Sequence, residues 1–588
     1  MKSIPSLLVS GAMLLAFLTL QAEVANSTGD QNLVALSTTL KVDDSHLIVP
    51  VANYPRNKRD HLLMGIYDGD KLVQNFTVSL PRANDDYWLA SYPLGKFDLK
   101  GKSITIKPVE KKELPKAYRS AFDLMRIGER VTAPDDYKHP YRDQFHVSTR
   151  RGWNNDPNGL VYAGAAPSEA RQGGGRGKYH MYYQHNPFGI HWGNMHWGHF
   201  VSEDLIHWEE QPIVLYANTI KDAAFSGGGF IDFNNSAGLG KDTLFVAFTS
   251  TGRGECLAYS LDGGHTLIEL PENPVVKHTG RDPKIIWYAP EQKWVMAIYN
   301  FDPCAETEAI PPKVFSKPNK EHANIVFYES KNLRSWKRTG AFTHEDRDAI
   351  FECPELFRLP VEGTGGESRW VLYGAQNRYF IGQFNGKTFK AESGPRGELT
   401  NEYSTHGSFY AAQTFSDIPD GRRIQIGWMR RASYEKQFPE QIVSQGMTLP
   451  HEITLRKTDD GIRACFNPVK EVQLLREKRL SKSINVSEDL SNEMLQDCSN
   501  ALTEVLIKFE EDKFHELVIN GIDVSFEGRM VRIFSDRTVA EIYIDDGLKY
   551  EVRSRDAENF FYRDSYVELG RRERLESLEI HQLKSIWE

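Results

Sequence analysis

Three acidic residues with distinctive neighbours, two of them directly before proline, lie in segments far apart along the chain, and carboxyl groups are the side chains that glycosidic bond hydrolysis needs. Asp156 lies in Trp153-Asn154-Asn155-Asp156-Pro157-Asn158-Gly159. Pro157 disfavours helical geometry at Asp156, and Asn158-Gly159 favours a turn. Asp156 is therefore expected at a strand end or turn, presented rather than packed. An ordinary Asx-Pro turn has the same local sequence. Asp282 lies in Arg281-Asp282-Pro283, and a surface ion pair at a turn would read the same way. Glu352 lies in Phe351-Glu352-Cys353-Pro354-Glu355. A carboxyl between apolar neighbours is a candidate for a raised pKa, as a general acid requires, although a solvent-facing Glu on an edge strand shares the pattern. Two carboxyls that flank a glycosidic bond can cut it. At a separation of about 5–5.5 Å one attacks and the anomeric configuration is retained.

Far-apart carboxyls need elements that converge. From about Tyr137 to Lys457 the chain is dense in short strand signals, Trp and Gly. Ser202-Glu-Asp-Leu-Ile-His-Trp208 resembles Ser330-Lys-Asn-Leu-Arg-Ser-Trp336, with a fainter copy at Ser260-Leu-Asp-Gly-Gly-His265. Each copy follows a strand-like segment. Strand–turn–Trp units recurring at roughly 60–70 residues suggest propeller blades, whose inner strands surround one axial pocket. Before this region, His46–Pro50, Leu62–Tyr67, Lys71–Phe76 and Ser103–Lys107 alternate like strands and predict a small β domain at 23–136, with a helical piece around Lys116–Met125. After it, from 458 to 588, Leu502–Phe509, Phe514–Ile519, Met530–Ser535, Ala540–Ile544 and Lys549–Arg553 predict a C-terminal β-sandwich. Gly164–Lys178 reads as a surface loop, and its glycine run lacks the ending of a phosphate-binding loop.

Composition removes several function classes. A net charge of −9 lacks the basic excess that nucleic-acid binding requires. Aromatic residues make up 11%, and their rings either stack on sugar faces or fill sheet cores. Lys2, the apolar run Leu7–Leu20 and the small residue at Ala22 read as a secretory signal peptide over 1–22, cleaved to give a secreted or periplasmic protein. That run is too short to span a bilayer, and no later segment is apolar enough. Five cysteines, with no C-x-x-C pair, suggest neither a zinc site nor a redox pair. His185, His191, His196 and His199 lack a carboxylate in a matching ligand pattern, so no metal and no cofactor are expected.

Many segments resemble glycoside hydrolase family 32. Trp153–Gly159 is similar to the family's Trp-Met-Asn-Asp-Pro-Asn-Gly signature, Arg281-Asp282-Pro283 to its Arg-Asp-Pro motif and Glu352-Cys353 to its Glu-Cys motif. Tyr183–Pro187, Trp192–His199, Phe225-Ser226-Gly227-Gly228, Phe409–Phe415, Gly427-Trp428, Met447–Pro450 and Val531–Arg537 also fit, in the family's order. The resemblance implies an all-β protein: a five-bladed β-propeller at 137–457, then a β-sandwich, with the N-terminal β domain as an extra. It implies that Asp156 attacks C2 of a fructosyl unit and that Glu352 protonates the leaving oxygen and then activates water. Asp282, with Arg281, would stabilise the oxocarbenium-like state. Asn155, Gln184 and Ser226 would bond fructose hydroxyls, while Trp192, Phe225 and Trp428 wall the pocket. Cys353 would neighbour the acid, either tuning it or as a small filler. Tyr410 is a further pocket candidate, or else core.

This chain departs from the pattern at Asn154, where the family usually has Met, and at Thr405-His406-Gly407, where it often has Asp-Tyr-Gly. The expected activity is exo-hydrolysis of fructan (levan or inulin), fructooligosaccharide or sucrose. The alternatives are an endo-levanase, a fructosyltransferase or a non-catalytic fructan-binding protein. The N-terminal domain is expected to pack against the propeller, with glycan binding as the alternative.

Overall fold

Alternating apolar residues between Asp, Asn and Gly turns favour antiparallel strands over helices, and in the computed structural model nearly all regular structure is β. The structure describes residues 33–53, 61–110, 113–131, 136–164, 177–277, 280–301, 323–397, 408–430, 442–479, 502–554, 567–569 and 573–587. The signal segment, residues 165–176 of the glycine-rich loop, Cys304, Cys498 and Thr405–Gly407 lie outside them.

The N-terminal region holds a four-stranded sheet in the order Thr38–Lys41, Ser103–Pro108, His61–Asp68, Lys71–Ser79 and a three-stranded sheet in the order Tyr87–Pro93, His46–Ala52, Arg126–Gly128. The expected helical piece is one 3-10 turn, Lys116–Tyr118, running into the helix Arg119–Leu124. Val49, Met64, Ile66, Phe76 and Ile106 fill the core between these elements. Phe188, from the region that follows, enters the same core and stacks on Phe76 at 4.0 Å.

Among the described residues, five sheets then follow one another. Their first strands are Gly152–Ala163, Gly229–Asp232, Arg281–Tyr288, Glu355–Pro360 and Ser408–Thr414. Hydrogen bonds join the leading segments in a closed circuit. Gly159 N donates to Gly227 O, Gly228 N to Pro283 O, Ala411 N to Ala375 O and Ser416 N to Leu160 O. Cys353 N donates to a carboxylate oxygen of Asp282. Val443–Ser444 also pairs in parallel with Gly152–Trp153, so the last sheet's chain adds a strand to the first sheet. Glycine is required where these strands approach. A Cβ on Gly227 would lie 1.9 Å from Ala247 O, and one on Gly229 would lie 2.4 Å from Gly159 O.

The repeated Ser-x-(Asp/Asn)-Leu-x-x-Trp motif is a recurring turn. In two copies the indole N–H bonds back three residues, Trp208 to Leu205 O at 2.8 Å and Trp336 to Leu333 O at 3.0 Å. Leu205 and Leu333 both take left-handed φ values, 68° and 61°. The turn leads out of the third strand of its sheet each time.

The fifth sheet runs past Lys457: Gly461–Pro468 pairs along its whole length with His451–Thr458. The C-terminal region described is one seven-stranded sheet around the hairpin Thr503–Ile519 and Ile522–Ser535. Two strands predicted from sequence, Leu502–Phe509 and Phe514–Ile519, are one bent strand. A register shift falls between Lys508 and Lys513, and Phe509 stacks on His515 at 3.7 Å. Six residues of straight strand would separate them by about 20 Å.

A buried charge cluster joins this sheet to the region before Gly152. His146 Nδ1 lies 2.9 Å from Asp536 Oδ2, and Nε2 lies 2.9 Å from Glu541 Oε1. With a carboxylate at each nitrogen, both nitrogens donate and the ring is an imidazolium. Glu541 also accepts from Leu449 N, His451 Nε2, Tyr543 OH and Tyr550 OH.

Candidate active site

Proline lacks an N–H for a sheet ladder, so inside a strand it sits at an edge or an irregularity. The acid–proline pairs occupy such irregularities. The strand Gly152–Ala163 shifts register between Asn154 and Pro157, and Arg281–Tyr288 shifts between Arg281 and Lys284. Asp156 thus lies inside a strand at a bulge, not at the strand end or turn expected from its sequence. A bulge re-aims a side chain without ending the strand, which local turn chemistry alone does not reveal. The fifth sheet's first strand shifts between Tyr410 and Gln413. Asp282, Glu352, Cys353 and Ala411 take left-handed φ values of 67°, 57°, 42° and 50°. Side-chain-bearing residues hold such conformations only where their surroundings over-determine them.

These distortions aim the side chains into one pocket of about 240 Å³, lined by Asn155, Asp156, Gln184, Trp192, Phe225, Ser226, Arg281, Asp282, Glu352, Tyr410 and Trp428. Eleven of the twelve site residues expected from the sequence are among them, and Cys353 is the exception. Cys353 lies directly behind: its N–H donates to Asp282 Oδ2 at 3.1 Å, and its thiol lies 3.8 Å from Asp156 Oδ2.

Each carboxylate has different partners. Asp156 accepts from Ser226 Oγ at 2.7 Å and from Asn155 Nδ2 at 3.1 Å. Trp153 Nε1 donates to Asn155 Oδ1 at 2.8 Å and so fixes that amide. Glu352 is held at both oxygens, Oε1 by Arg281 Nη2 and Oε2 by the Tyr410 hydroxyl, the latter at 2.6 Å. Arg281 Nε also lies 3.5 Å from Asp282 Oδ2, so one guanidinium faces two carboxylates. Burial pushes Asp156 up to about 6, against the Ser226 hydrogen bond that lowers it. Burial pushes Asp282 up to about 8, opposed by Arg281 and reinforced by Glu352 and Asp156. Burial likewise raises the Cys353 thiol, which keeps its proton and can donate it toward Asp156.

Several supporting residues carry no local sequence signal. The rings of Tyr299 and Phe351 flank the Arg281 guanidinium at 5.4 and 5.9 Å. Thr249 Oγ1 accepts the Asp282 N–H at 2.9 Å and donates to Glu255 at 2.8 Å. Gln445 accepts from Trp428 Nε1 at 3.2 Å, and Arg430 lies over both Tyr410 and Trp428. Among the histidines considered for metal binding, His185 Nδ1 faces Trp153 O, His196 Nε2 faces Tyr92 OH and His199 Nε2 faces His180 Nδ1. Among the described residues no group of His, Cys, Asp and Glu is arranged to hold a metal ion.

The family profile described as "Glycosyl hydrolases family 32 N-terminal domain" matches residues 146–465, over half of the chain. The chain belongs to glycoside hydrolase family 32. The matched span takes in all five sheets that surround the pocket, up to their last strand. Within family 32, the chain is similar to the levanase of Bacillus subtilis, at 32% identity over 434 residues, 70% of this chain and 59% of that protein. It is similar to the extracellular exo-inulinase of Aspergillus niger at 31% identity, over 55% of this chain and 63% of that protein. The chain thus spans less than two thirds of the length of these curated relatives. The crystal structure of the exo-inulinase from Aspergillus awamori has the same fold, with a TM-score of 0.62 and 23% identity over 77% of this chain and 100% of that chain.

Proposed function

We propose that this chain is a secreted, retaining β-fructosidase that removes terminal fructose from fructans. The observation that carries the reading is the convergence of Asp156, Asp282 and Glu352 in one pocket, with Asp156 held by Ser226 and Asn155 and the other two facing Arg281. Asp156, held by Ser226 and Asn155, attacks C2 of the terminal fructosyl unit. Glu352, steadied by Arg281 and Tyr410, gives its proton to the leaving oxygen and later takes one from the water that releases fructose. Asp282 bonds fructose hydroxyls as positive charge develops on the ring. Asn155, Gln184 and Ser226 orient the sugar, and Trp192, Phe225 and Trp428 wall it in.

Pocket size supports exo action. A volume of about 240 Å³ falls below the usual range of roughly 300–1,000 Å³ for small-molecule sites. Such a volume suits one sugar unit rather than an internal chain segment. The levanase and exo-inulinase relatives favour levan or inulin as substrate, with sucrose as a further possibility, and the relatives named as extracellular agree with cleavage of a signal peptide at 1–22. In this reading the five sheets are the blades of a five-bladed propeller extending to Pro468, preceded by an accessory β domain. The folded-back C-terminal hairpin is the seam of a β-sandwich.

The test is a time course of products from levan, inulin and sucrose, each supplied separately. Fructose alone from the earliest points supports exo-hydrolysis. A ladder of oligosaccharides indicates an endo-levanase and a growing chain a fructosyltransferase. No product from any of the three, with fructan retained by the protein, indicates a binding protein.

A further inference from the structure

Trp192 is a pocket wall with little side-chain packing of its own. It is 58% exposed, and its ring meets Phe225 edge-on at 6.0 Å. It stands in the connection 187–195 between the strands Lys178–Asn186 and His196–Ser202. The backbone on either side fixes it, and on both sides the anchor lies in the N-terminal domain. Before Trp192, Phe188 enters that domain's core against Phe76 at 4.0 Å and Tyr92 at 4.9 Å. After it, Asn194 Oδ1 accepts from Thr77 N and Asn194 Nδ2 donates to Thr77 O, both at 2.8 Å. The amide thus pairs with the edge of Lys71–Ser79 as a neighbouring strand would. Asn194 Nδ2 also donates to Asn186 Oδ1 at 2.9 Å, and Asn186 Nδ2 donates to His191 O at 2.8 Å, which closes the connection on itself.

A buried relay of hydrogen bonds runs to the same place. His196 Nδ1 faces Asn194 O, so that nitrogen carries the proton, and burial keeps the ring neutral against the pull of that carbonyl. His196 Nε2 therefore accepts from Tyr92 OH at 3.1 Å, and Tyr92 OH accepts in turn from Gln74 Nε2 at 3.1 Å. Gln74 Nε2 also donates to Ala217 O at 2.6 Å, and Ile220 N donates to Asn75 Oδ1 at 2.9 Å. These last two bonds hold the start of the segment 217–226, which ends in Phe225 and Ser226. One strand of the N-terminal domain, Lys71–Ser79, thus grips both segments whose rings meet at the pocket wall.

We infer that the N-terminal domain positions the substrate-facing wall of the pocket, with Asn194, Tyr92 and Gln74 as positioning residues that act through Trp192. This rests on the fructosidase reading above, and it gives the accessory domain a part in substrate binding. A ring so little packed keeps its place only while the backbone beneath it is held, and loosening that backbone weakens the hold on the sugar without touching the carboxylates.

The experiment is a double-mutant cycle on the full chain, with levan and inulin as substrates. Tyr92→Phe removes the hydroxyl at the middle of the relay and keeps the ring. Asn194→Gly removes the amide and leaves a residue at ease with the left-handed φ of 45° at that position. Each is measured alone and on top of Trp192→Ala, whose raised KM is the reference. Alone, each is expected to raise KM about 3- to 10-fold, on the scale of one lost buried hydrogen bond, with kcat within about 2-fold of wild type. On top of Trp192→Ala neither should raise KM further, because the ring they position is gone. An equal rise in both backgrounds, no rise in either, or a fall in kcat at constant KM overturns the positioning role and leaves the fructosidase reading standing. A wild type inert toward levan, inulin and sucrose overturns the fructosidase reading, and the positioning role falls with it.

Discussion

The backbone N–H of Cys353 donates to Asp282 Oδ2 at 3.1 Å, tying together two segments 71 residues apart in the chain. Cys353 can reach because it and Glu352 both adopt left-handed backbone. The residue that fixes Asp282 is therefore the neighbour of Glu352, so a shift in one carboxylate segment is felt by the other.

The carboxylates are expected to separate the two chemical steps. Asp156→Ala should lower kcat by about 10⁴-fold or more on every fructoside, since no nucleophile remains. Glu352→Ala should cost about 10²–10⁴-fold on natural fructosides. With an aryl fructoside, whose leaving group needs no proton, the first step should survive and the fructosyl-enzyme should accumulate, visible by mass spectrometry of the intact protein on Asp156. Equal loss with both substrate types would remove Glu352 from the acid role.

The acidic limb of the pH profile should report Asp156. Burial raises this carboxyl to about 6, and only its ionised form attacks. The acid side of kcat/KM against pH is therefore expected to fall off near 6. Ser226 donates to Asp156 and stabilises the anion, so Ser226→Ala should move that limb to higher pH. A limb that stays in place in Ser226→Ala assigns the titration to another group.

Gly227→Ala should be more damaging than its size suggests. The added methyl would meet Ala247 O at 1.9 Å, in backbone next to Ser226. Overpacking of this kind costs about 1–3 kcal/mol. A lower Tm together with a loss in kcat/KM is expected; a wild-type Tm would show that the strand can shift to make room.

The buried cluster around His146 should set the stability profile. Its carboxylate partners raise His146 from 6.5 to about 9. A raised histidine contributes stability that is complete below its unfolded value and lost as pH rises through its folded one. Tm should therefore decline as pH climbs from 6.5 through about 9. Asp536 and Glu541 are depressed, so their contribution is lost as pH falls through the acid range. Glu541→Ala removes one of the imidazolium's two carboxylates and the acceptor of Leu449 N and of the Tyr543 and Tyr550 hydroxyls, and should cost about 3–5 kcal/mol, read as a lowered midpoint in denaturant.

How far the sequence alone reaches differs from residue to residue. The Ser-x-(Asp/Asn)-Leu-x-x-Trp turns were legible because each is closed by contacts within a few residues, as in Trp208 to Leu205. The acid–proline pairs were legible as interruptions, since a missing N–H is a property of one residue. That the interruption at Asp156 is a bulge within a strand was decided by the neighbouring strand Lys178–Asn186, which supplies the other side of the ladder. Tyr410 could be assigned to core or pocket until its hydroxyl was seen on Glu352, 58 positions away. The bend that brings Phe509 onto His515 and the extension of the fifth sheet to Pro468 are likewise set by pairing partners, not by local pattern. By itself, the sequence pointed to the residues that line the pocket and to the strands that present them, because residue type and short-range sterics are local. Only the tertiary structure decided which oxygen meets which donor and how far burial lifts Asp156 and Asp282. Those depend on long-range closure of the sheets, whose geometry no short segment contains.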